Sequence, residues 1–156
     1  MKANIGISAD HSKKTALLLN TLLADETILY TKTRNYHWNI ESGSFIEMHQ
    51  FYENQYTTLA TVIDEVAERV RQIGHFAEGR LKDYIKLANL EEQEYTDDQK
   101  TQISNLLDDH ETLCRSLRNH ISKVEDEYKD VGTADFLTGV LKQHEKMAWM
   151  LRAYKK

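Results

Sequence analysis

Apolar residues recur along this chain at helical rather than strand spacing, and the lapses in the pattern divide it into four long segments. The first runs through Leu17, Leu18, Leu22, Ile28 and Leu29 toward Trp38. Ser8 or Asp10 suits its N-cap, and Glu41-Ser42-Gly43 ends it. Ser44-Phe45-Ile46-Glu47 then has the S-x-x-E form of a capping box. It predicts a second helix through Phe51, Leu59, Val62, Ile63, Val66 and Val70 to about Gly74, long for a globular protein.

From His75 to Tyr95 the chain is too long to be plain loop in a compact domain, and Leu81, Tyr84, Ile85 and Leu87 suggest a short amphipathic helix within it. Thr96-Asp97-Asp98-Gln99 reads as a second capping box. The third long helix follows, carried by Ile103, Leu106, Leu107, Leu113, Leu117, Ile121 and Val124. Gly132 interrupts the pattern and Thr133 suits a cap. Phe136, Leu137, Val140, Leu141, Met147, Met150 and Leu151 then mark the fourth. Tight turns within each pair and one long crossover between pairs predict an all-α four-helix bundle with an extra short helix in the crossover. No proline and only six glycines agree with long helices, and 156 residues suit a single domain, 1–156.

Composition narrows the function classes. The chain is 40% hydrophobic and 29% charged, ordinary for a soluble globular protein, and no run is apolar enough to span a membrane. The N-terminus, MKANIGISADHSKK, has no apolar h-region, so no secretory signal is expected. One cysteine, Cys114, allows no internal disulfide and suits a reducing cytoplasm. A formal net charge of -5 argues against generic nucleic-acid binding.

Candidate chemistry lies on the second helix. His49 is followed four residues on by an acid, Glu53, on the same helical face. Asp64 and Glu68 form an acidic i, i+4 pair farther along, which repels itself unless a cation or partner sits between. Histidine is the commonest metal ligand, and carboxylates suit iron beside it. Taken singly, each of these residues is more readily surface decoration, and Asp64 or Glu68 would suit an ion pair with Arg69 or Arg71. Jointly they are restrictive. Glu53 and Asp64 are eleven residues apart, nearly one face, yet about 16 Å separates them along the axis. Within one chain the two pairs cannot share a metal. An antiparallel copy of the helix aligns His49 with Glu68 and Glu53 with Asp64 about a centre between Thr58 and Leu59. A two-fold dimer axis there builds two identical sites. His37 and His49 each lie six residues from Gly43, so antiparallel packing puts both at similar height and His37 can complete a mixed His/carboxylate site.

These residues resemble a known family. Asn35-Tyr36-His37-Trp38-Asn39, Phe45-x-x-Met48-His49-x-x-x-Glu53 and Asp64-x-x-x-Glu68-Arg69 are similar to the signature of Dps proteins, small ferritins of starved or oxidatively stressed bacteria. The likeness runs from Asn4-Ile5-Gly6-Ile7 to Glu145-Lys146-Met147-Ala148-Trp149-Met150-Leu151. It implies a ferritin-like fold, a homo-oligomeric hollow shell of twelve subunits, and di-iron ferroxidase sites at two-fold interfaces. His37, His49 and Glu53 of one subunit would join Asp64 and Glu68 of its neighbour. The implied activity is oxidation of Fe(II), preferring hydrogen peroxide to dioxygen, with ferric mineral stored inside. The resemblance further implies that pairwise action of the irons avoids releasing hydroxyl radical. Two departures stand out: Glu53 replaces a frequent aspartate, and Gln50 a frequent glutamate. Other ferritin branches use Glu-x-x-His motifs within one bundle, and no histidine here has Glu three positions before it.

Several further positions carry paired readings. Trp38 is either a radical quencher beside His37 or an aromatic packed at the dimer interface. Asp130 and Asp135 match acids that line a three-fold pore in the family, while Asp135 also suits the first turn of the fourth helix. His110 and Cys114 have an i, i+4 spacing that can bind zinc, or are a buried thiol beside a histidine. DNA binding in the family usually uses a lysine-rich tail. Here Lys2, Lys155 and Lys156 are the whole complement, so weak or absent DNA binding is expected. The alternative to a ferroxidase is a DNA-compacting protein with little iron chemistry.

Overall fold

A computed structural model describes residues 3–155. Five α-helices run in the order α1 (Ala9–Asn39), α2 (Phe45–Gln72), α3 (Leu81–Leu87), α4 (Gln99–Ser122) and α5 (Val131–Tyr154). Among the described residues the only β pairing is an isolated bridge between Glu41 and Asp98, which ties the turn after α1 to the run-in of α4. α1 packs chiefly on α2, and α4 on α5, each pair antiparallel. The chain is therefore the four-helix, one-crossover, ferritin-like bundle with a short extra helix.

The core is a continuous cluster drawn from all four long helices. It includes Leu19, Leu23 and Leu29 of α1, Leu59, Val62 and Val66 of α2, Leu106 and Leu113 of α4, and Leu137 and Leu151 of α5. α1 is buried on more than one side, because it also carries the crossover. Asn20 of α1 donates to Phe76 O and accepts from Glu78 N. Asp25 accepts from the amides of Asn89 and Leu90 at 2.5 and 2.9 Å. Lys32 donates to Glu91 O at 2.7 Å and pairs with Asp109 of α4 at 2.5 Å. Polar groups on α1 thus satisfy the backbone of an irregular segment, whose amides would be costly to bury unpaired.

Helix ends show where the sequence expectations needed correction. Ser8 caps α1, accepting from His11 N at 3.2 Å. The capping box at Ser44 does not form. Ser44 is not extended and makes no side-chain cap bond, and Glu47 instead accepts from the Tyr154 hydroxyl at 2.6 Å. α4 is capped by Asp98, which accepts from Thr101 N at 2.8 Å, rather than by Thr96. The fourth long helix begins before Gly132, not after it. The break is a π-helical turn, Lys123–Glu127, followed by Lys129 at φ 57°, and Asp130 is the cap. Gly132 lies in the first turn of α5, where an added Cβ would stand 3.0 Å from the Arg69 guanidinium. α2 ends on Gly74 at φ 90°, with Gly74 N bonded to Arg71 O and His75 N to Val70 O. That is a Schellman closure, and it needs a residue free to adopt positive φ. In α3 none of the residues is fully buried, and Leu81 and Ile85 face outward.

Candidate metal centre

The turn between α1 and α2 brings His37 and His49 face to face. Their rings stack with centroids 3.6 Å apart at 19°. Each ring then reaches the other helix's backbone. His37 Nδ1 lies 2.8 Å from His49 O, and His49 Nδ1 lies 2.8 Å from His37 O. A carbonyl oxygen only accepts, so both Nδ1 atoms carry the hydrogen. In the neutral rings that leaves both Nε2 atoms with free lone pairs. A metal-ligating histidine is usually oriented by such a bond to its second nitrogen. The equal height expected of His37 and His49 is thus observed, with a reciprocal clamp that spacing did not disclose.

Aromatic residues hold the pair. Phe45, one turn before His49, stacks on it at 5.2 Å, and Tyr56 of α2 meets the His37 ring edge-on at 5.2 Å. Arg34 is centred among three rings, 5.6 Å from Tyr30, 5.1 Å from Trp38 and 5.1 Å from Tyr56, and donates to the Tyr30 hydroxyl at 2.7 Å. Sequence reasoning missed Tyr30, Arg34, Phe45 and Tyr56 as supports. Their signal was the i, i+4 ladder Tyr30-Arg34-Trp38 and the i, i+4 pair Phe45-His49. Trp38 itself is 63% exposed within the chain.

The carboxylates lie as the helix dictates. Glu53, Asp64 and Glu68 are exposed on unbroken α2, and Glu53 alone is within two turns of His49. Among the described residues no three His, Cys, Asp or Glu side chains of one chain converge on a metal position. The structure brings His37 and His49 together and leaves Asp64 and Glu68 farther along the helix.

The remaining candidates fall elsewhere. Asp130 is 3% exposed and committed to Thr133 N and Oγ1 at 3.0 and 2.6 Å, with Arg69 3.4 Å away. Asp135 is exposed, one turn past the opening turn of α5 rather than in it. His110 is fully buried and bonded to His144, while Cys114 is only partly buried. Burial pushes the Cys114 thiol up. Lys2 and Lys156 lie outside the described residues.

Known proteins share this fold. A family model described as a ferritin-like domain matches residues 16–156. DNA protection during starvation protein 2 of Bacillus anthracis is 32% identical over 143 residues, covering 92% of this chain and 97% of that protein. A solved Dps protein from Vibrio cholerae superposes with a TM-score of 0.93 at 33% identity, covering 100% of this chain and 98% of that one. The chain belongs to the Dps family. A low temperature-induced protein of Nostoc is 41% identical over 154 residues, 98% of this chain and 86% of that protein. The Vibrio cholerae Dps is described as one of the ferritin-like diiron-carboxylate proteins. At the level of the family, the Dps assignment carries iron oxidation and storage, and iron as the metal.

Proposed function

We propose that this Dps chain is a ferroxidase and iron store that oxidises Fe(II), preferring hydrogen peroxide, at di-iron sites shared between two chains. His37, His49 and Glu53 of one subunit act with Asp64 and Glu68 of a second. The observation that carries this is the clamp that leaves the Nε2 lone pairs of both His37 and His49 free, while Asp64 and Glu68 lie farther along α2 and complete no metal position within one chain. Two Fe(II) ions give one electron each to hydrogen peroxide. Its O–O bond breaks, two protons are taken up, and two waters form without a hydroxyl radical. The donors bind only as neutral imidazole and ionised carboxylate, so iron loading weakens as pH falls.

The chain works as a homo-oligomer, with two-fold dimers assembling to a dodecamer around stored ferric mineral in the cytoplasm. Exposed Trp38, Ile46, Phe76, Tyr95, Val131 and Trp149 supply apolar surface that suits such interfaces. Among the described residues no helix is long and apolar enough to cross a membrane. Asp135 is the better pore residue of the pair, because the Asp130 carboxylate is already engaged. The alternative, DNA compaction with little iron chemistry, is disfavoured by the net charge of -5 and the oriented histidines.

The test is anaerobic Fe(II) mixed with peroxide or dioxygen, following ferric absorbance. His37→Ala and Asp64→Ala should each lower the peroxide-driven rate about 10-fold or more, since even outer-shell partners of metal ligands are worth that much. Unchanged rates in both variants would remove the site assignment.

A further inference from the structure

A second polar system crosses the middle of the bundle and takes no part in the metal centre. Glu26 of α1, His144 of α5 and His110 of α4 are each 0% exposed. Glu26 Oε1 lies 2.7 Å from His144 Nε2, and His144 Nδ1 lies 2.9 Å from His110 Nδ1. The far ends of the chain, Glu26 Oε2 and His110 Nε2, have no hydrogen-bond partner among the described residues. Glu26 and His144 are 118 residues apart in sequence, so this bond links the α1/α2 pair to the α4/α5 pair.

The link works only at a limited proton count. A bond between two Nδ1 atoms needs one hydrogen, and an imidazolium carries hydrogen on both nitrogens. If both rings were imidazolium, two N–H groups would face each other at 2.9 Å and the bond would be lost. The two like charges would also sit with centroids 5.1 Å apart between fully buried side chains. Neighbouring groups offer no relief. On α1, Asp25 is held by Asn89 and Leu90, and Lys32 is paired with Asp109 of α4. The buried residues of α2 include no acid or base other than Tyr52, and α3 buries none. Cys114, one turn beyond His110, is held as the thiol by burial, and Glu145 of α5 pairs with Arg118 at the surface.

We propose that the Glu26–His144–His110 chain is an acid-sensitive latch between the two helix pairs, closed near neutrality and released when acidification demands a second imidazolium in the core. Burial, with the neighbouring His144 adding to it, pushes His110 well below the ordinary histidine range. The opened seam therefore binds one more proton than the closed one. Its closure is at full strength above about pH 6.5 and weakens about tenfold per pH unit below that. His120, also lowered by burial and facing Asp25 and Lys123, is a separate contributor at the far end of α4.

Hydrogen exchange of the intact oligomer from about pH 7.5 to about pH 5, corrected for intrinsic amide rates, tests the latch. Protection around Glu26, His110 and His144 is expected to fall about tenfold per unit below about pH 6.5, ahead of α2. His110→Gln keeps a hydrogen-bonding side chain without the titration and should abolish that slope, whereas His120→Gln should retain it. The proposal is overturned if His110→Gln keeps the wild-type slope, if His120→Gln loses it, or if acid opening begins at the His37 turn. Should His110→Gln not fold, the location of opening in the wild type still decides.

Discussion

Mixing two inactive variants gives the sharpest test of a divided site, because the proposed two-fold sharing sets the yield. His37 and His49 are clamped within one chain, so a His37→Ala/His49→Ala variant lacks every histidine ligand while retaining Asp64 and Glu68. An Asp64→Ala/Glu68→Ala variant lacks the opposite half. α2 is unbroken from Phe45 to Gln72, so Glu53 and Asp64 stay about 16 Å apart and one chain cannot fold back to serve itself. Refolding the two variants together in equal amounts makes half of the two-fold dimers mixed. Each mixed dimer has one site with all its ligands and one with almost none. About a quarter of all sites are then intact, and the rate of peroxide-driven Fe(II) oxidation per chain should return to about a quarter of wild type. Each variant refolded alone should stay near background. No recovery, in a sample whose mixed dimers are confirmed by mass spectrometry, would refute the division of ligands between chains.

Two further outcomes follow from the fold and its charge. Lys32→Met strands the buried Asp109 carboxylate and should cost about 3–5 kcal/mol, a fall in Tm of roughly 6–20 °C by calorimetry. Lys32→Met/Asp109→Leu should recover most of that, and a single variant within about 1 kcal/mol of wild type would show the pair to be idle. Plasmid DNA should show little or no gel shift at physiological salt, since phosphate contacts dominate non-specific affinity and the chain is acidic. Tight, salt-sensitive retention of plasmid would contradict it.

Much of the bundle was legible because helix formation here depends on local periodicity without proline. The helix ends were less so. Ser44 and Thr96 have capping-box sequences, but a cap depends on one residue's backbone angles and on competing partners, such as Tyr154 for Glu47. Asp130 reads as a free acid and is a buried cap, because the π-helical turn moves the start of α5 ahead of Gly132. At the candidate metal centre the height of His37 against His49 was readable from equal spacing about Gly43. The clamp was not, since it joins ring nitrogens to carbonyls twelve residues away. The bond from Glu26 to His144 left no local signal, as its partners meet only through tertiary packing.

The clamp, taken with the proposed division of ligands between two chains, makes metal binding and dimer association one coupled equilibrium. The histidine half is preorganised, with stacked rings fixed by two 2.8 Å bonds and braced by Phe45 and Tyr56, so ordering it costs little when metal arrives. The acidic half is a like-charge pair exposed on α2, mildly destabilising until a cation lies between its members. Bringing the halves together therefore relieves repulsion on one chain while using orientation already established on the other. Linkage then requires that whatever factor dimerisation adds to metal affinity, metal adds to dimer affinity. Under the proposed sharing, the preorganised histidines set where the metal binds, and relief of the acid pair's repulsion makes that binding hold two chains together.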